Sequence, residues 1–267
     1  MFKKGLIAVS LLVGALGIAQ ADTSTVISNL TKHERMMNSV VTVDAKMTAV
    51  IKEKYPSIDG YVVDVSGSRL LSNNDGTLIY QLASVFDTAT MENLQTVVNY
   101  EIMEEPGNSD WFTVPLPADS EKRADIYVFS DPTCGYCRKM HGEKAKYDEY
   151  GVQMHIIPYP RQGLTEANPG YTQWVEAACS VDGGEAYHQM TTGTYTVSAE
   201  TTEKLNDPVA KAACVAKVRS GYALGREVGL RGTPFIIGYG SNGERMMTPG
   251  YVPIDEIAKQ LGALSSE

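Results

Sequence analysis

The spacing of apolar residues changes several times along the chain, and each change marks an element. Residues 5–18 form a nearly unbroken apolar run. Over 44–55, Met47, Val50 and Ile51 recur at helical spacing until Pro56 stops the pattern. Gly60–Val65 and residues 77–82 read as strands around the turn Ser72-Asn-Asn-Asp-Gly76. Met91, Leu94, Val98 and Ile102 then make a single stripe, which predicts a helix over 87–105 with Asp87 or Thr88 as N-cap and Pro106-Gly107 as the stop. At about 1.5 Å per residue it would be a rod of roughly 28 Å. It could be an ordinary packed helix or a connector. Residues 107–123 carry Pro115, Pro117 and several charges and read as a hinge or loop. From Ala124 onward the order is strand (124–130), helix (134–149), strand (152–159), helices (171–194 and 207–229), strands (234–240 and 244–249) and helix (254–264). A βαβ unit followed by ββα, with helices inserted between, is an α+β pattern.

The chain opens with a positive region, Lys3-Lys4, then the apolar run, then Ala19-Gln20-Ala21. This is the form of a secretory signal peptide over 1–21, with Asp22 as the first mature residue. The run is short for a membrane span, and no later segment matches one, so a soluble exported protein without stable membrane association is expected. Removing Lys3 and Lys4 leaves 21 basic residues against 32 acidic and takes the formal charge from −9 to −11. That balance argues against nucleic acid or anionic lipid as a partner. The segment 22–86 is too small to bury much core alone and could gain stability by pairing with a copy of itself.

The four cysteines all lie in the second half: Cys134, Cys137, Cys179 and Cys214. Export makes disulfides permissible. The first two form Cys134-Gly-Tyr-Cys137, just after the apolar strand Ile126-Tyr-Val-Phe129 and at the start of a helix-compatible segment. A helix start offers unpaired N–H groups and a positive dipole end, which favour thiolate over thiol. Cys134 is therefore the candidate nucleophile and Cys137, one turn further, the candidate resolving thiol. A C-x-x-C bridge closes too small a loop to serve mainly as a staple. Gly135 and Tyr136 add no charge, so the helix end is expected to be the main cause of acidity at Cys134. Zinc would want a second C-x-x-C knuckle, and the sequence has only one; no metal or other cofactor is expected.

Gly232-Thr233-Pro234 precedes the strand-like Phe235-Ile-Ile237. A proline there can be cis, exposing the backbone before it, or trans in a turn. Cys179 and Cys214 sit in Ala-lined helical segments with no cysteine near either; they are a structural bridge or two buried thiols. Such a bridge would close a loop of about 36 residues, worth on the order of 3–4 kcal/mol. His141, four residues past Cys137, could touch the site, but a lone helix-surface histidine is the favoured reading.

These residues together resemble a known family. Asp131-Pro-Thr-Cys-Gly-Tyr-Cys137, Tyr159-Pro-Arg-Gln-Gly163, Tyr222-Ala-Leu-Gly225, Gly232-Thr-Pro234 and Pro249-Gly-Tyr251 are similar to the periplasmic disulfide isomerases of the DsbC/DsbG type, nearest the DsbC branch. The likeness is strong over 124–264; over 22–123, order and size fit better than residues do. It implies an N-terminal dimerisation domain (22–86), a linker helix and hinge (87–123), and a C-terminal thioredoxin-like catalytic domain with a helical insertion (124–267). It also implies a homodimer whose two Cys134 sites face a cleft, and a cis-proline loop at Thr233 and Pro234 that binds client backbone beside Gly135 and Tyr136. Cys179–Cys214 would then be the structural disulfide. The implied partners are misfolded disulfide-containing exported proteins and a membrane electron donor of the DsbD type. Two segments, 108–123 and 183–207, run longer than that pattern.

The expected activity is rearrangement or reduction of wrong disulfides through a Cys134 mixed disulfide in the periplasm. The rivals are a thiol oxidase of the same fold and a dimeric holdase chaperone with incidental thiols.

Overall fold

The structure is a computed structural model that describes residues 20–32, 39–108 and 111–264. The apolar run of the expected signal peptide, and His33, lie outside those residues. The chain divides into two compact units, at Glu105/Pro106.

The first unit holds helix α1 (Gln20–Thr31), strand β1 (Val41–Val43), helix α2 (Ala45–Lys54), strands β2 (Gly60–Val65), β3 (Ser68–Asn73) and β4 (Ile79–Gln81), and helix α3 (Leu94–Met103). Asp44 caps α2 by accepting from Met47 N (3.0 Å), and Pro56 lies just past its end. The sheet is antiparallel in the order β1-β2-β3-β4. The two strands expected as neighbours, β2 and β4, do not pair; β3 lies between them. The turn that decides this is Ser66-Gly67, both at positive φ (52° and 86°), the backbone of a two-residue hairpin loop. Without an Asn-Gly or Asp-Gly pair it is weakly marked in the sequence.

The helix expected from Asp87 begins only at Leu94. Asp87 closes a loop instead: its carbonyl accepts from Met91 N (2.7 Å) and its carboxylate from Ala89 N (2.8 Å). Met91 stands at φ 59°, and Asn93 takes over as N-cap, accepting from Thr96 N at 2.8 Å. The ten residues of α3 span about 15 Å, roughly half the expected rod. The helix is packed into the first unit: Val98 and Ile102 are fully buried, and Glu101 and Glu105 pair with Lys54 and Lys46.

The second unit is built on strands β5 (Phe112–Val114), β6 (Ala124–Ser130), β7 (Val152–Pro158), β8 (Phe235–Gly240) and β9 (Arg245–Pro249), in the order β5-β7-β6-β8-β9. Only β6 and β7 run parallel. Its helices are α4 (Gly135–Gly142), α5 (Lys144–Glu149), α6 (Pro169–Cys179), α7 (Gly183–Thr192), α8 (Ala199–Asn206), α9 (Pro208–Glu227) and α10 (Ile254–Gln260). The β6-α4-β7 unit and the closing β8-β9-α10 are those expected, with α6 to α9 as the helical insertion. Strand β5 was expected as loop. It has three residues before Pro115 and earns its place by pairing with β7 and stacking Phe112 on Trp174 (5.6 Å). The expected helix over 134–149 is broken at Glu143, and that over 171–194 at Ser180–Asp182, where Asp182 caps α7 through Glu185 N (2.9 Å). The α9 helix lies tight against the end of β7. A Cβ at Gly221 would sit 2.8 Å from the Pro158 carbonyl oxygen, and one at Gly225 would sit 2.4 Å from the Tyr159 ring.

Candidate active site

Strand β6 ends at Ser130, and four residues later the chain turns into α4. The bend is held by one buried carboxylate. Asp131, 1% exposed, accepts from Thr133 N (2.8 Å) and Thr133 Oγ1 (2.7 Å) on one oxygen, and from Arg161 N (3.0 Å) and Arg161 Nε (3.1 Å) on the other. Cys134 follows as the N-cap of α4; its N–H donates to the Asp131 carbonyl (2.9 Å) and its own carbonyl accepts from Arg138 N (3.0 Å). The carboxylate thus fixes where the helix starts and where the first sulfur sits.

Cys134 and Cys137 are both free thiols. Cys134 is 3% exposed and Cys137 0%. The Cys134 thiol donates to the Thr233 carbonyl oxygen at 3.3 Å, and the Thr233–Pro234 peptide bond is cis. Thr233 and Pro234 therefore stand beside the sulfur, as do Gly135 and Tyr136 by sequence. Tyr136 is 63% exposed and lies over the half-buried Tyr251 (6.1 Å between rings), whose hydroxyl donates to Glu143 Oε1 at 2.6 Å. Lys139 Nζ sits 4.2 Å over the same Tyr251 ring.

The Cys134 thiol is lowered to about 5. The largest cause is the hydrogen bond from the Cys137 thiol; burial opposes it, and Thr233, the Cys137 N–H and the Arg161 charge add to it. The helix end contributes through that N–H but is not the leading cause, which corrects the expectation from sequence. Cys137 moves the other way, pushed up by burial and by its hydrogen bond to Cys134. A low-pKa sulfur beside a high-pKa partner can attack a disulfide first and be displaced second.

Replacing Arg161 by Gln is expected to move the Cys134 midpoint upward and also to cost stability, since it takes a charged donor from the buried Asp131 carboxylate; alkylation rate against pH reads the shift, and an unmoved midpoint would remove Arg161 from the site.

His141 is not on the surface. It is 1% exposed, with its ring against Tyr187 (5.0 Å) and Nδ1 3.5 Å from His188 Nδ1. Burial drives its pKa down to about 3, so the imidazole is neutral. It lies four residues past the fully buried Cys137, on the same face of α4, and that spacing was the available signal. Cys179 and Cys214 form a disulfide, Cα–Cα 5.3 Å, joining the end of α6 to α9.

A site of this kind on this sheet belongs to thioredoxin-like proteins. Residues 118–265 match the thioredoxin-like domain family, more than half of the chain, and the chain belongs to that family. Its relatives are disulfide exchange proteins: the thiol:disulfide interchange protein DsbC of Escherichia coli (strain K12) is 28% identical over 263 residues, covering 97% of this chain and 95% of that protein. The DsbC of Dickeya dadantii (strain 3937) is 31% identical over 148 residues, 55% of this chain and 53% of that protein. Among solved structures, a disulfide interchange protein from Neisseria gonorrhoeae overlaps with a TM-score of 0.36 at 24% identity, covering 53% of this chain and 92% of that one.

Proposed function

We propose that this chain is a thiol-disulfide isomerase and reductase acting on wrong disulfides in exported proteins. The observation that carries it is a free Cys134 with its pKa lowered to about 5, set at a helix start against a cis Thr233–Pro234 peptide, in a chain similar to DsbC over nearly its whole length.

Cys134 thiolate attacks one sulfur of a client disulfide, and the other leaves as a thiol after taking up a proton. The mixed disulfide then has two exits. A second client thiol displaces Cys134 and leaves a rearranged bridge, or Cys137 displaces the client, reducing it and oxidising the enzyme. Thr233 and Pro234 align an extended client segment beside the sulfur, and Gly135 and Tyr136 form its near wall. The small exposure of Cys134 favours such a segment laid along the loop over a loose encounter. Cys179–Cys214 holds the helical insertion and takes no part in exchange.

The protein works in the periplasm, its export directed by residues 1–21; no described helix is long and apolar enough to cross a membrane. A membrane electron donor of the DsbD type returns Cys134 and Cys137 to thiols. The first unit joins two copies. Support for this comes from β4, an edge strand whose preceding residue and first two residues, Leu78, Ile79 and Tyr80, are all exposed apolar groups. An unpaired apolar edge invites a second strand. Tyr80→Glu is expected to give a monomer where the unaltered protein is a dimer, by native mass; a dimer that survives this change places the joint elsewhere.

The reading is tested by refolding from two starting points. Reduced enzyme is expected to recover native protein from a scrambled multi-disulfide client. An enzyme that speeds only the oxidation of reduced client, and leaves the scrambled one untouched, contradicts the reading.

A further inference from the structure

The core behind Cys137 contains a hydroxyl pair that packing alone does not require. Ser130, the last residue of β6, is fully buried, and its Oγ is 2.6 Å from the hydroxyl of Tyr187, also fully buried. Both are held in place. The Ser130 carbonyl accepts from Tyr159 N (2.9 Å) and Trp174 Nε1 (3.0 Å), and the Tyr187 ring stacks on Trp174 at 4.2 Å and meets the His141 ring edge-on at 5.0 Å. An alanine and a phenylalanine of the same outline could fill this space without burying two hydroxyls. The pair faces the resolving sulfur: Ser130 Oγ and the Asp131 N–H are hydrogen-bond partners of Cys137. With Tyr187 donating to Ser130, the serine proton is left for that sulfur.

We propose that Ser130 is a catalytic residue of the resolving step and Tyr187 its positioning residue: the serine hydroxyl donates to the Cys137 sulfur as it becomes thiolate and so sets how long a mixed disulfide on Cys134 survives. The inference rests on the exchange reading above. In the step concerned, the Cys137 sulfur attacks Cys134 Sγ. The Cys134–client bond breaks as the Cys134–Cys137 bond forms, and the client sulfur leaves with the proton that Cys137 gave up. Over the attack and resolving steps together the client disulfide gains two electrons and the enzyme dithiol loses them. Burial raises the cost of charge on Cys137, and a fixed donor lowers it. A short-lived mixed disulfide favours reduction; a long-lived one gives a second client thiol time to complete a rearrangement. The hydroxyl pair therefore acts on the balance between the two exits.

The test uses the full chain, reduced, and oxidised glutathione as probe, with acid-quenched samples weighed by mass spectrometry. The first step is appearance of the glutathione adduct on Cys134; the second is its loss as the Cys134–Cys137 disulfide forms. Ser130→Ala and Tyr187→Phe are each expected to slow the second step, Ser130→Ala by about tenfold, the scale of one hydrogen bond to a charged group. Ser130→Thr, which keeps the hydroxyl, restores it. The double variant Ser130→Ala/Tyr187→Phe removes both partners together and should fold like the parent, so a poorly folded single variant does not block the test. A second step unchanged in the double variant, a first step slowed as much as the second, or no rescue by threonine would each overturn the proposal. A parent protein that forms no adduct at all would instead overturn the reading of Cys134 itself.

Discussion

Cys134→Ala is expected to abolish recovery of a scrambled multi-disulfide client, a loss of at least about a thousandfold, because no other described group can form the mixed disulfide in its place. Cys137 cannot substitute: it is fully buried and its pKa is raised by that burial. Cys137→Ala should behave differently. Rearrangement needs only the first sulfur, so part of the isomerising activity survives, while reduction is lost and client adducts on Cys134 accumulate. Refolding yield and trapped adduct, measured side by side, separate the two roles. Full rescue by Cys134→Ala would mean that the chain protects clients without exchanging sulfur, the holdase reading.

Removing the second cysteine pair should cost stability and leave exchange chemistry in place. Cys179 and Cys214 are 35 residues apart in sequence and join α6 to α9. Closing a loop of that size constrains the unfolded chain by about 4 kcal/mol at room temperature. Cys179→Ala/Cys214→Ala should therefore lower the denaturant midpoint of the second unit's transition by a corresponding amount. The α9 helix would lose its covalent tie to α6 but keep its close approach to Pro158 and Tyr159 through Gly221 and Gly225. A change well under 1 kcal/mol would show that helix packing alone holds the insertion.

What could be read from the sequence was carried by local signals. The strand Ile126-Tyr-Val-Phe129 running into Cys134-Gly-Tyr-Cys137 sets sulfur at a helix start through spacing alone. Gly232-Thr233-Pro234 before an apolar strand marked the loop that stands beside it. The rest depends on contacts between distant segments. Asp131 and Arg161 are 30 residues apart, and nothing near either shows that they meet. The acidity of Cys134 was assigned to the helix end because Gly135 and Tyr136 are neutral; Cys137, Thr233 and Arg161 share it, two of them from far along the chain. Strand β5 has three residues and exists only because β7 offers an edge and Trp174 a surface. His141 reads from sequence as a helix-surface histidine, yet its ring packs against Tyr187 of α7. In the first unit the stripe from Met91 to Ile102 had the right period, but Asp87 spent its hydrogen bonds on a loop and delayed the helix to Leu94.

The central claim is that one sulfur is held ionised at neutral pH. Its folded pKa lies below the ordinary thiol value, so the thiolate is present above about pH 5 and is lost as pH falls through that value. The direct measurement is the rate of alkylation of Cys134 by iodoacetamide, followed by mass in Cys137→Ala and in the parent from pH 3 to 10. In the parent the rate should reach half its plateau near pH 5 and change little from about pH 7 to pH 8. In Cys137→Ala the midpoint should move up, because the largest contributor to the shift has been removed. A parent midpoint near pH 8.5, the value of an unperturbed thiol, would contradict the claim and with it the exchange mechanism built on Cys134.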